Sequence, residues 1–341
     1  MDRSPKNLAR ELGDALTRHL WSNWTALGVS GNFAPPRGHI IDPEALLLLT
    51  CSFGRRDQRL FDEVVDWLTV NWELVNVGRV KNIMERYPWS GVEVMRSLAS
   101  WLIVHQKKTA KWRSLASSRD AGKEAATPFF IDGDGRGTPV FGDLDPVFSK
   151  HGFSRGAIVP RGKSQTFRND APACLLLSLR SFFGTNVRAE IVAYLLTRPE
   201  GGHPTKIAKS IGYSQKTAQN ALTAMKKSRW VKCRETGFEK IYSLTPDIAK
   251  AFLGDGGGVP TWTNLGAIYC MMEKVWETLA GAGFAALSSS ARAIELRNAI
   301  TPLVKDVEHP WFVECLANDI KGESFINALM DDVFQFLQLL G

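Results

Sequence analysis

The sequence has no CxxC pair. Cys51, Cys174, Cys233, Cys270 and Cys315 are far apart and odd in number, which argues against a zinc site and a disulfide framework. Reduced thiols in a cytoplasm are expected. The six histidines are equally scattered, and no HExxH spacing occurs. There is no Walker loop and no GxSxG turn. Long apolar runs are missing too. Met1-Asp2-Arg3-Ser4-Pro5-Lys6 lacks the apolar centre of a signal peptide. Runs such as Ala45 to Leu49 are far too short to span a bilayer. A cytoplasmic protein with no membrane partner, no metal and no cofactor is expected.

Two acidic stretches imitate functional motifs. Asp132-Gly133-Asp134-Gly135-Arg136-Gly137 opens like a calcium loop, but Arg136 stands at a ligand position and no closing glutamate follows. A turn is expected there. Asp57, Asp62, Glu63 and Asp66 lie close together, interleaved with Arg55, Arg56 and Arg59. Ion pairs on a helix surface are expected. No catalytic constellation emerges, so the chain is not read as an enzyme.

What is present is ordinary globular material: 341 residues, 44% hydrophobic and 23% charged. That length allows two or three domains. Residues 5 to 27 place Leu8, Leu12, Leu16, Leu20, Trp24 and Leu27 near one helical face. Asp42-Pro43-Glu44 supplies an N-cap and a first-turn proline for a helix ending near Gly54. Two more helices are expected between Arg55 and Met84, and another over 92–117. Residues 118–172 are rich in Gly and Pro and are read as a connection with short extended pieces, at Pro128-Phe129-Phe130-Ile131 and Pro139-Val140-Phe141. Leu175 to Phe183 is a helix by pattern. Asp255-Gly256-Gly257-Gly258 reads as a linker, and 262–285 and 289–341 as helical with a break at His309-Pro310. Trp262, Trp276, Trp311, Phe312, Phe325, Phe334 and Phe336 could line an effector pocket, but core or dimer packing is the expected use.

The expected fold class is therefore mainly α, a multi-domain helical protein. Its parts are a helical N-terminal domain over 1–117, the connection over 118–172, a central domain over 173–254 and an acidic helical domain over 259–341. A faint echo links Pro43 to Leu49, ending in Phe53-Gly54, with Pro172 to Leu177, ending in Phe183-Gly184. If that echo is real, the N-terminal domain holds a second, degenerate helix-turn-helix.

Charge is distributed unevenly. Residues 185–245 carry eleven basic side chains against four acidic ones, a surplus equal to the +7 of the whole chain. A local positive field of this kind suits a polyanion, because each Lys or Arg near a phosphate displaces a condensed counterion. A second basic run, His105 to Lys123, is read as a solvated helix end. Residues 260–341 carry five basic and ten acidic side chains and suit protein contacts rather than nucleic acid.

Within the basic segment, Val187 to Thr197 patterns as a short helix. Pro204 to Ile211 patterns as a second, closed by Gly212. Ser214 is a good N-cap for a third, in which Ala218, Ala221, Leu222 and Met225 share one face. Lys216, Asn220, Thr223 and Lys227 then fall on the opposite face, beside Gln215 and Gln219. Amides, hydroxyls and cations of this kind can read base edges or hold phosphates. Two alternating strands follow, Trp230 to Arg234 and Lys240 to Leu244, joined by a turn over Glu235 to Glu239.

This segment resembles the winged helix-turn-helix regulators of the arsenical-resistance (ArsR) and multiple-antibiotic-resistance (MarR) types. The resemblance rests on Ile207-Ala208, Gly212-Tyr213-Ser214, Leu222, Arg229-Trp230-Val231 and Ile241-Tyr242-Ser243-Leu244-Thr245, and covers about a fifth of the chain. The metal cysteines of the arsenical type are absent. The resemblance implies a recognition helix at Ser214 to Lys227, lying in the major groove of double-stranded DNA. Its candidate DNA-binding residues are Ser214, Gln215, Lys216, Thr217, Gln219, Asn220, Thr223 and Lys227, with Arg234 and Lys240 on the wing. A homodimer is expected, since one such helix reads too few base pairs. The rival expectation is a protein-interaction adaptor of a phage, plasmid or defence system, with the winged helix docking a protein partner.

Overall fold

The computed structural model describes residues 3–106, 110–116, 126–132, 135–237, 239–253, 260–307 and 320–340. It is mainly helical, with fourteen α-helices and two small two-stranded sheets among those residues. None of the helices is long and apolar enough to cross a membrane.

The first five helices are α1 (Pro5–Ala26), α2 (Pro43–Ser52), α3 (Gln58–Asn71), α4 (Val77–Arg86) and α5 (Val92–His105). The Asp-Pro-Glu run starts α2 as its chemistry predicts: the Asp42 carboxylate accepts from the N–H groups of Glu44 and Ala45. α5 is shorter than expected, because Gln106 leaves helical backbone with φ −122° and ψ 90°. A short 3-10 turn covers Ala110–Ser114. Much of the basic run to Lys123 lies outside the described residues.

The Gly- and Pro-rich middle contributes to the core. Strands β1 (Thr127–Pro128) and β2 (Phe153–Ser154) pair in parallel, and an unexpected short helix, α6 (Pro146–Lys150), is capped by Asp145. Phe129 and Phe148 are fully buried, edge to face at 5.1 Å. Arg155 is 1% exposed and lies 5.0–5.5 Å from the ring centres of Phe61, Phe129, Phe130 and Phe148. Pro139 to Phe141 forms no strand, and Phe141 is exposed. The calcium-like stretch closes as a turn, with Asp132 accepting from the Arg136 N–H; Gly133 and Asp134 lie outside the described residues.

The α3 carboxylates differ from expectation. Glu63 and Asp66 are buried, and the acids find partners far away in sequence rather than one helical turn along. Asp62 pairs with Arg155 at 2.6 Å and Glu63 with Arg161. Asp66 accepts from the N–H groups of Gly162, Lys163 and Ser164. The middle segment folds down over this face of α3, which converts surface acids into anchors. The neighbouring arginines serve the same packing: Arg55 donates to the Phe129 carbonyl at 2.6 Å, and Arg56 lies 4.6 Å from the Trp276 ring.

At the other end, α12 (Leu265–Ala280) is buried along Leu265 to Glu273, almost wholly apolar apart from Glu273, which accepts from the Ser90 N–H, and packs against α1, α2 and α13 (Ser289–Val304). A helix with no polar stripe needs neighbours all round. α14 (Gly322–Leu340) packs against α13 and α1. One hydrophobic interior therefore unites α1–α5, the phenylalanines of the middle segment and α12–α14. Segments read as separate N- and C-terminal parts share it. The 255–258 linker and the His309-Pro310 break lie outside the described residues.

A second interior belongs to the remaining elements: α7 (Leu175–Phe183), α8 (Val187–Leu196), α9 (Pro204–Ile211), α10 (Gln215–Lys227), the strands β3 (Val231–Thr236) and β4 (Glu239–Leu244), and α11 (Pro246–Leu253). Ile40 and Trp262 reach into it from the larger body.

Candidate nucleic-acid interface

The sequence between Pro204 and Leu244 folds as two helices at a tight corner, followed by a hairpin. Gly212 closes α9 in the left-handed conformation (φ 74°, ψ 32°), where a side chain would be strained. Tyr213 and Ser214 turn the chain, and the Ser214 hydroxyl accepts from the Thr217 N–H at 3.2 Å to start α10. Ala218, Ala221, Leu222 and Met225 are buried, the face expected from their spacing. Leu222 is fully buried, so Leu222→Ala would cost about 2–5 kcal/mol through lost contacts and a cavity.

The opposite face stands in solvent. Ser214, Gln215, Lys216, Thr217, Asn220, Thr223 and Lys227 are all exposed, and Gln219 is half-buried. Gln219 has structural work: its amide donates to the Tyr242 hydroxyl at 3.2 Å and lies 3.4 Å from the Thr223 hydroxyl, bracing α10 against the hairpin. Its amide is therefore less open to a ligand than that of Gln215 or Asn220.

β3 and β4 pair antiparallel from Val231 opposite Leu244 to Thr236 opposite Glu239. Phe238 lies outside the described residues. Arg234 and Lys240 are both exposed. Lys240 shares Glu235 with Lys226, at 3.5 and 3.9 Å. Sequence reasoning missed what holds the hairpin in place. Gly202 exchanges two backbone hydrogen bonds with Tyr242, at 2.9 and 3.0 Å, so the segment before α9 adds a one-residue bridge to β4. Gly201 has φ 83°, and a Cβ there would run into the Tyr242 carbonyl. The Gly201-Gly202 pair was the available signal, since adjacent glycines permit close backbone approach.

A second missed feature is Arg229. It is the one non-glycine residue with positive φ (63°) among the described residues. It sits where α10 ends, with the Trp230 N–H donating back to Met225 at 3.1 Å. Glycine usually fills this position, and a side chain there costs roughly 1 kcal/mol or more. An exposed cation is thus held next to the hairpin at a cost in backbone energy.

Not all of the local positive charge is available. Lys209 pairs with Asp306 at 2.8 Å and donates to the Lys305 carbonyl at 2.9 Å. Burial alone would raise the Asp306 carboxyl; the Lys209 hydrogen bond, the Arg86 and Lys209 charges and the Tyr87 hydroxyl overcome it and hold the group below its ordinary value. Arg198 lies 4.5 Å from the Tyr194 ring centre. By contrast, among the described residues no carboxylate pairs with Lys206, Lys216, Lys227, Arg229, Lys232 or Arg234. Lys216 and Lys227 lie on α10, Arg229 just after it, Lys232 and Arg234 on β3, and Lys206 on α9.

The unit is locked to the body by buried charge. Arg79 of α4 faces Asp42 and Glu44, its Nη1 lying 2.6 Å from the Glu44 carboxylate, and its Nε donates to the Ile211 carbonyl at 2.7 Å. Arg180 of α7 contacts Glu44 at 2.7 Å and Glu190 of α8 at 2.5 Å. Asn76 donates to the Tyr213 hydroxyl at 2.7 Å, and Asn82 to the Gly212 carbonyl at 3.2 Å. The corner between α9 and α10 is therefore gripped by α4, while the outer face of α10 is left clear. Burial pushes the Glu190 carboxyl above its ordinary range despite Arg180, and its Oε2 has no hydrogen-bond partner among the described residues.

The structure also joins three residues that sequence reasoning left apart. His151 Nδ1 lies 2.7 Å from the Glu93 carboxylate, and its Nε2 lies 2.9 Å from the Ser100 hydroxyl. Nucleophile, base and orienting acid stand in order. Ser100, however, sits inside α5, where the neighbouring N–H groups are spent on the helical ladder and cannot steady an oxyanion. The trio links α5 to the end of α6. No protein-family model matches this chain, and no curated protein or solved structure matches it either.

Proposed function

We propose that the protein is a sequence-specific DNA-binding regulator, in which α8, α9, α10 and the β3–β4 hairpin act as a winged helix. One observation carries the reading: the solvent face of α10 gathers Gln215, Lys216, Asn220, Thr223 and Lys227, beside a hairpin bearing Arg234 and Lys240. Lys216, Asn220 and Thr223 read base edges in the major groove, aided by Gln215. Ser214 and Thr217 offer hydroxyls to a phosphate at the positive end of the helix. Lys227, Arg229, Arg234 and Lys240 hold phosphates. The protein acts in the cytoplasm as a homodimer, since a single α10 spans too few base pairs.

Fluorescence anisotropy against random and selected duplexes over a salt series tests this. Binding that weakens steeply with salt is expected. Asn220→Ala should lose about 1–3 kcal/mol of base discrimination, and Lys227→Ala should weaken all sequences alike and flatten the salt slope by about 1. Failure of the wild-type chain to bind any duplex at low salt would reject the proposal.

One observation favours the adaptor reading. Phe182 is 71% exposed and stands in an aromatic group with Phe183, Trp230 and Phe252, offering an apolar contact for a protein partner. The same salt series separates the readings, because a partner seated on these rings binds without a polyanion's salt dependence.

A further inference from the structure

Far from α10, the outer side of α1 and the C-terminal half of α14 enclose an open groove of about 790 Å³. That lies within the range of small-molecule sites. Its walls are apolar, formed by Ala15, Phe33, Phe334 and Leu337. Phe33 is 39% exposed and is backed by Trp21, the two rings stacked at 5.5 Å with 11° between planes. Phe33 therefore leaves part of a supported ring open to the groove.

The charge of the groove narrows its chemistry. Glu11 and Asp14 line the α1 rim, and Arg18, one turn further along, is the only cation among the described lining residues. Outside the lining, Arg3 acts on Glu11 and Arg56 on Asp14, but Arg3 is paired with Asp331 and Arg56 lies over Trp276. The floor is His19, buried with its Nε2 2.7 Å from the Tyr269 hydroxyl. Burial, reinforced by neighbouring His39, holds His19 well below its ordinary value, so it adds no positive charge at neutral pH. The α14 side adds Gln338 and no cation; the nearest charges on that helix are Asp331, paired with Arg3, and Asp332. Two carboxylates lining the same groove as Phe33 and Phe334 are surroundings that a delocalised organic cation seeks, since ring faces attract positive charge and the acids complete the pairing.

We propose that this groove is a binding site for a small lipophilic organic cation. None of the residues lining the groove belongs to α10 or the hairpin, so the site stands or falls independently of the α10 face. The test is isothermal titration calorimetry of the full chain with tetraphenylphosphonium and with tetraphenylborate, ions of matching shape and opposite charge. Saturable binding of the phosphonium, about ten-fold or more tighter than the borate, is expected. The double variant Glu11→Lys, Asp14→Lys changes only rim positions; it should weaken the phosphonium by about ten-fold or more and favour the borate. Ala15→Trp, which fills the groove, should remove both. Circular dichroism and the thermal midpoint establish that each variant is folded. Equal binding of the two ions, indifference to the rim reversal in a folded variant, or no saturable phosphonium binding would each overturn the proposal.

Discussion

Arg79 and Arg180 are no more than 2% exposed and each faces two carboxylates, whereas Lys216, Lys227 and Arg234 stand in water with no acid beside them. The same side-chain chemistry is used in opposite ways. In the joint, two arginines and three carboxylates have left water, and only their mutual pairing offsets the loss of hydration. The joint therefore fixes where α7, α8 and the α9–α10 corner sit on the larger body. On α10 the cations remain hydrated and contribute little to folding.

Substitutions in the two regions should differ in kind. The largest effect is expected from Arg180→Met, which strands Glu44 and Glu190 in the interior. It should cost about 3–5 kcal/mol in urea unfolding. A loss below roughly 1 kcal/mol would mean the joint is wetter than it looks. Gly201→Ala should come next, at about 2 kcal/mol, because positive φ and the Tyr242 carbonyl both oppose a Cβ; amide exchange of Tyr242 should report the loosened hairpin. Arg229→Gly should run the other way, stabilising by about 1 kcal/mol as left-handed strain is relieved, while weakening duplex binding. A variant both more stable and equally tight would show that Arg229 serves no ligand. Lys216→Ala should leave the unfolding midpoint within about 0.5 kcal/mol of wild type.

The pH dependence of the joint sharpens the contrast most. With Glu190 protonated, two arginines balance two carboxylates in the joint. Its folded-state affinity for a proton is raised, so its contribution is full below the ordinary carboxylate range and is lost as pH rises through the raised value. Asp42 has the opposite sign. Burial would raise it, but the charge and hydrogen bonds of Arg79 win and lower it; its contribution is present above the ordinary range and is lost as pH falls through the lowered value. Glu190→Gln should therefore change stability by less than about 1 kcal/mol and should gain on wild type as pH rises from the carboxylate range, followed by urea midpoints across pH.

The legible parts of the chain were those whose signal is local. The apolar row Ala218, Ala221, Leu222 and Met225, the Ser214 cap and the strands Trp230 to Arg234 and Lys240 to Leu244 needed only neighbours within a few residues. Each appears near its expected bounds, except that the strand pairing runs on through Glu235 and Thr236 to Glu239, residues expected in the turn. The α3 acids misled because the partners of Asp62, Glu63 and Asp66 lie about a hundred positions away, in a segment whose glycines and prolines imitate a linker. The Glu93–His151–Ser100 group was hidden for the same reason: its members come from elements that meet only in three dimensions.

By itself the sequence determined most of the longer helices, the caps at Asp42 and Ser214, the hairpin and the surplus of positive charge near α10, because propensity, periodicity and composition act over short stretches of chain. Only the tertiary structure decided that both ends of the chain share one interior, which arginines are buried, and which cations stay in water. Those outcomes depend on desolvation, and desolvation is set by whatever distant segment folds over a side chain.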